Sequence, residues 1–109
     1  MKTIKLQGKE YAPVVERLKH FRETHKDGKI KTSVIIDNSR ALFTAEVFIG
    51  GKLVATGHAM KNITQEFMLE KAETRAIGRA LAIAGIGLDA GISSFEEAAD
   101  YFKSEENNK

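Results

Sequence analysis

The sequence predicts an α+β domain with its helices on one face of an antiparallel sheet, and three observations carry that reading. Apolar residues recur at helical spacing in two segments, one near the start of the chain and one long segment beginning at Glu66. Between Ile30 and Met60 the period changes to two, as in strands with one buried face. That region is interrupted by Asp37-Asn38-Ser39-Arg40 and by Gly50-Gly51, both turn signals. At 109 residues the chain has the size of one domain with one core. The predicted order is helix, three-stranded meander, long helix and short C-terminal helix, with 1–103 as the domain and 104–109 as a frayed polar tail.

A short strand is expected at Thr3 to Leu6. Pro13 then sits in a first helical turn, where its missing N–H costs nothing, and Val14, Leu18 and Phe21 follow at helical spacing. This predicts a helix over Ala12 to His25, with Asp27-Gly28 as its stop through a left-handed glycine. The meander runs Ile30 to Ile36, Ala41 to Ile49 and Leu53 to Met60. Gly50-Gly51 suits a tight hairpin in which both turn residues have positive φ. Val34, Ile36, Phe43, Ala45 and Val47 should share a face, whereas Val47-Phe48-Ile49 puts apolar groups on both. Glu66 to Ala84, rich in alanine, leucine and glutamate, is the strongest helix, with Asn62 or Thr64 as cap and Gly85-Ile86-Gly87 as stop. Ser93 and Glu96 have capping-box spacing and open the last predicted helix, Ser93 to Lys103. The open edges of so small a sheet call for cover, and other copies of the chain are one source of it.

Composition narrows the function. The absence of cysteine excludes disulfides, thiolate metal sites and a cysteine nucleophile, and fits a cytoplasmic protein. No apolar run has the length of a signal peptide core or a membrane span, so no membrane partner is expected. The net charge of +2 conceals an uneven distribution: nine acids face fifteen bases before Leu88, and six acids face two bases from Leu88 onward. A body near +6 with a tail near −4 points to an anionic partner for the body.

Lys71, Arg75 and Arg79 lie at i, i+4 and i+8 of the long helix and form one basic stripe. Glu70 and Glu73 interleave with it. Leu69, Ala72, Ala76, Ile77, Ala80, Leu81 and Ala84 supply an apolar side whose small residues permit close approach to a sheet. More bases stand at Arg17, Lys19, Arg22 and Lys26 on the first helix, at Arg40 and Lys52 in the hairpin turns, and at Lys61. Contacts to a phosphate backbone need charge and reach only, so the pattern suits binding without sequence preference and with strong salt dependence. Phe48 is the aromatic most open to a surface role. His20, His25 and His58 have no metal-site spacing, no serine stands in a nucleophile elbow, and the glycines after Ala84 follow a helix where a phosphate loop would precede one. No catalytic residue, metal or cofactor is therefore expected.

The string Leu69-Glu70-Lys71-Ala72-Glu73-Thr74-Arg75-Ala76-Ile77-Gly78-Arg79-Ala80-Leu81 with Gly85-Ile86-Gly87 resembles the signature helix of phage single-strand annealing proteins of the Sak type, relatives of the eukaryotic Rad-fifty-two annealing proteins. Tyr11-Ala12-Pro13-Val14, Gly28-Lys29-Ile30 and Ala55-Thr56-Gly57-His58-Ala59 also resemble that family. The resemblance implies a β-β-β-α core, homo-oligomeric rings or filaments, and single-stranded DNA held in a basic groove. It implies annealing of complementary strands in phage-type recombination inside a bacterial host, without ATP or metal. The implied DNA-binding residues are Lys61, Lys71, Arg75 and Arg79, with Arg40 and Lys52 beside them, and a single-strand-binding protein is an implied partner. Gly51 to Ala59 also looks like a strand pair of hot-dog thioesterases, and a purely structural oligomerisation module is a third reading.

Overall fold

The computed structural model describes residues 2–65, 67–86 and 92–94. The chain begins with a hairpin of β1 (Ile4–Leu6) and β2 (Lys9–Ala12), continues through α1 (Val14–Thr24), and enters a meander of β3 (Lys29–Asp37), β4 (Arg40–Ile49) and β5 (Lys52–Asn62). Then come α2 (Phe67–Ile83) and β6 (Ile92–Ser94). The meander is an antiparallel sheet in the order β3-β4-β5; β1, β2 and β6 form a second small sheet in which β6 pairs parallel to β2. The expected architecture of helix, meander and long helix is present.

Local chemistry explains the boundaries. The Pro13 carbonyl accepts from the backbone N–H of Glu16 and Arg17, so proline stands just before the first helical residue. Gln7 and Gly8 both have positive φ (50° and 80°), which makes the tight turn of the first hairpin. Gly50 and Gly51 do the same between β4 and β5, at φ 61° and 78°, as the sequence predicts. Asn62 belongs to β5 and so is not the cap of α2. α2 stops in a Schellman motif: Gly85 sits at φ 75°, the Ile86 N–H donates to the Leu81 carbonyl, and the Gly85 N–H donates to that of Ala82.

Two expectations need correction. Gly28 does not lie in the left-handed region. Its glycine is required by a neighbour instead, since a Cβ there would stand 2.4 Å from Cζ of the Phe21 ring. Ser93 and Ser94, expected to open a C-terminal helix, are in β6 and pair with Tyr11 and Ala12; the rest of that segment, and the tail, lie outside the described residues.

The core lies between α2 and the sheet. Ala41, Phe43, Ala45 and Val47 of β4 and Ala55 and Ala59 of β5 pack against Ala72, Ala76, Ala80 and Leu81, with Phe21 of α1 beside them. Ala72, Ala76 and Ala80 recur every fourth residue and let α2 come down onto β5 at Gly57. A Cβ on Gly57 would stand 2.4 Å from the Ala80 nitrogen and 2.5 Å from the Ala76 oxygen. The helix–helix crossing has its own close approach, because a Cβ on Gly78 would lie 2.9 Å from Cγ2 of Val14. At the far end a β-bulge between Val47 and Phe48 shifts the register, leaving Val54 of β5 unpaired between Leu53 and Ala55.

Candidate nucleic-acid interface

The two flanks of α2 are chemically different. On one, the Thr32 hydroxyl of β3 donates to the Glu73 carboxylate at 2.8 Å. On the other, Arg79 donates through Nη1 to the His58 carbonyl of β5 at 2.8 Å. Lys71 and Arg75 precede Arg79 by two turns and one turn, so the stripe read from the sequence runs along the β5 flank. Lys61 faces the helices too, since it pairs with the buried Ala41. β5 ends at Asn62 and α2 begins at Phe67, which brings Lys61 and the first turns of α2 to the same end of the sheet.

At that end Phe67 is exposed, and the Lys71 ammonium lies 5.7 Å from the centre of its ring. A shallow groove of about 290 Å³ is lined by Phe67, Glu70, Lys71, Thr74 and Arg75. The N-terminus of α2 adds a positive dipole end to this region. Glu70 stands within the groove and offsets part of its charge.

The six expected contact residues are not equivalent. Lys71 and Lys61 are half-buried and Arg79 is exposed, its Nη1 donating to the His58 carbonyl. Arg75 is only 7% exposed, so its guanidinium is largely part of the packing. Arg40 is exposed at the β3–β4 turn, opposite Asn62 and on the other face of the sheet from Lys61. Lys52 is exposed at the far end of β5. Lys61, Lys71 and Arg79 therefore form the accessible group, and Arg40 and Lys52 stand apart from it.

Arg17, counted among the bases of the first helix, turns inward. It is fully buried and donates through Nη2 to the Gly78 carbonyl at 2.7 Å and, at a long 3.5 Å, through Nε to that of Ile86. It binds carbonyls at the C-terminal end of α2, where the helix dipole favours a cation. The remaining bases of this segment, Lys19 and Arg22 on α1 and Lys26 just past its end, are exposed. Sequence reasoning passed over Lys29 and Lys31, which project with Phe48 from the face of the sheet opposite the helices; the Lys31 ammonium is 5.5 Å from the Phe48 ring centre. The period-two spacing of Lys29 and Lys31 was the available signal.

A helix, a three-stranded antiparallel meander and a second helix, with bases on the exposed flanks, define a small α+β module suited to a polyanion. The family model described as Slr1353 N-terminal dsRNA-binding domain-like matches residues 18–84, more than half of the chain, and the chain belongs to that family. The matched span starts within α1 and ends just past α2, so it takes in the meander and leaves out β1, β2 and β6. Comparisons with curated proteins and with solved structures gave no match.

This membership overturns the resemblance to phage annealing proteins. The string on which that resemblance rested does structural work that fixes its small residues. Ala72, Ala76 and Ala80 lie on the sheet, Gly78 meets α1, and Gly85 ends the helix. A helix seated this closely on a sheet needs such small residues whatever it binds, so these positions of the string report packing and not a particular ligand. The family points to nucleic acid as the partner in general terms.

Proposed function

We propose that this protein is a non-enzymatic module that binds duplex RNA through its backbone, without reading base sequence. The observation that carries the reading is membership of a dsRNA-binding-domain-like family across the α1-to-α2 unit. The chemistry supports it: lysines and arginines on and just after α1 and on the β5 flank of α2 can neutralise phosphates, and an A-form duplex is recognised mainly by shape, phosphate and 2′-hydroxyl contacts. Lys61, Lys71 and Arg79 are the proposed phosphate contacts on one flank, with Lys19, Arg22 and Lys26 as a second group. The reading needs no covalent step.

The test is a competition among duplex RNA of about 20 bp, longer than the roughly 16 bp such domains span, duplex DNA of the same sequence, and oligo-dT. Duplex RNA should compete best. Single-stranded DNA binding with annealing of complementary strands, the activity implied by the sequence resemblance, is the rival outcome: preference for oligo-dT, with faster pairing of complementary oligonucleotides, would displace the duplex reading. Replacing Lys61 and Lys71 by glutamate should weaken duplex binding about tenfold or more and lower the salt slope by about one unit per lysine.

A further inference from the structure

β3 is nine residues long and has one strand neighbour, β4, among the described residues. α2 lies over β4 and β5, so even the helix-side residues of β3 stay open: Val34 is 43% exposed, Ile36 56%, and Ile35, on the other face, 68%. Natural sheet edges are usually blunted by proline, a bulge or a central charge. From Thr32 to Ile36 this one has none of these; the bulge lies between β4 and β5, and the charges of β3 are confined to its ends.

Those end charges have opposite sign. Lys29 and Lys31 open the strand and Asp37 closes it. When the strand is laid antiparallel on itself about Ser33, all nine residues pair and Lys29 faces Asp37, twice by symmetry. Ile30 then faces Ile36 and Thr32 faces Val34 on the helix side; Ile35 faces the aliphatic stem of Lys31 on the other. Every exposed apolar side chain of the edge gains a neighbour of suitable kind, and no like charges oppose one another. A centre two residues on, at Ile35, would leave Lys29 to Thr32 unpaired.

We propose that β3 is a self-recognition edge: a second copy of this chain pairs with it antiparallel, centred on Ser33, to make a two-fold dimer with a continuous six-stranded sheet. The occupant is set by the strand's complementarity to itself in length, charge and apolar pattern. The interface is isologous and closes at two copies. The multi-copy assembly expected from the sequence thus takes the form of a dimer, and neither ring nor filament follows from this edge. Both nucleic-acid-facing flanks would be duplicated, which gives the dimer two sites for one duplex.

The chain has no cysteine, so engineered thiols report the register directly. With Ser33→Cys the two thiols face each other, their Cα atoms about 4.5–5.5 Å apart and within disulfide reach. Mild oxidation should cross-link most of Ser33→Cys and little of Ile35→Cys. Sedimentation of the unmodified protein should give a mass near twice that of one chain. Lys29→Asp and Asp37→Lys should each weaken the dimer about tenfold, and mixing the two variants should restore it, because the mixed pair matches both charges. That rescue separates a broken interface from a misfolded chain. A monomer at high micromolar concentration, preferential cross-linking of Ile35→Cys, or charge variants without effect would overturn the proposal.

Discussion

Arg17 shows how a side chain changes meaning once its neighbours are known. A fully buried guanidinium is tolerable only when its donors are engaged, and the Gly78 and Ile86 carbonyls accept from it. Among the described residues no buried side-chain nitrogen or oxygen lacks a hydrogen-bond partner. Replacing Arg17 by Met removes the charge and its hydrogen bonds to those carbonyls, and should cost about 3 kcal/mol by denaturant unfolding. Gly57→Ala should be comparably harmful, about 3 kcal/mol, because the new Cβ meets backbone atoms of Ala76 and Ala80 that cannot swing aside. The inward turn of Arg17 was legible in part, since it falls three residues after Val14 and four before Phe21 on one helical stripe. Charge type pulled the reading outward. The burial of Arg75 was not legible, because its position beside the apolar face is decided by how α1, α2 and the sheet pack together.

At the scale of elements, the glycines divide into two kinds that respond differently to substitution. Gly51 and Gly85 have positive φ and open space where a Cβ would go, so alanine there should cost about 1 kcal/mol from backbone strain alone. Asparagine, which visits that region readily, should be milder at Gly51 than valine. Gly28 should show no such rescue, since its obstacle is the Phe21 ring. Thermal unfolding of these variants distinguishes the two mechanisms. The meander, both long helices and the Gly50-Gly51 turn could be read from periodicity and turn chemistry. The β1–β2 hairpin was read only as its first strand, because β1 and β2 have three and four residues and too little alternation to register. β6 was hidden for a stronger reason: its Ser-Ser pair has the form of a helix cap, and only pairing to β2, more than eighty residues earlier, makes it a strand.

Among the described residues the main sheet has one covered and one open face. Helices cover β4 and β5, leaving β3 as an edge and the face with Lys29, Lys31, Phe48 and His58 to solvent. The basic body noted in the sequence therefore does not form a single groove. Its charges divide among the α2 flank beside β5, the outer side of α1, and the open sheet face. If the flank of α2 carries the contacts, replacing Lys29 and Lys31 by glutamine should change duplex affinity less than twofold, whereas Lys61 and Lys71 should dominate; fluorescence anisotropy with each pair of variants ranks the surfaces.

The central claim is a backbone grip on duplex RNA that ignores sequence. Its most direct test is the affinity of two RNA duplexes of unrelated sequence and equal length, each titrated at about 50 and 200 mM salt. The account predicts equal affinities within about twofold and the same steep loss for both as salt rises. Absence of binding at the lower salt, or a large preference for one sequence that persists at the higher, would contradict it.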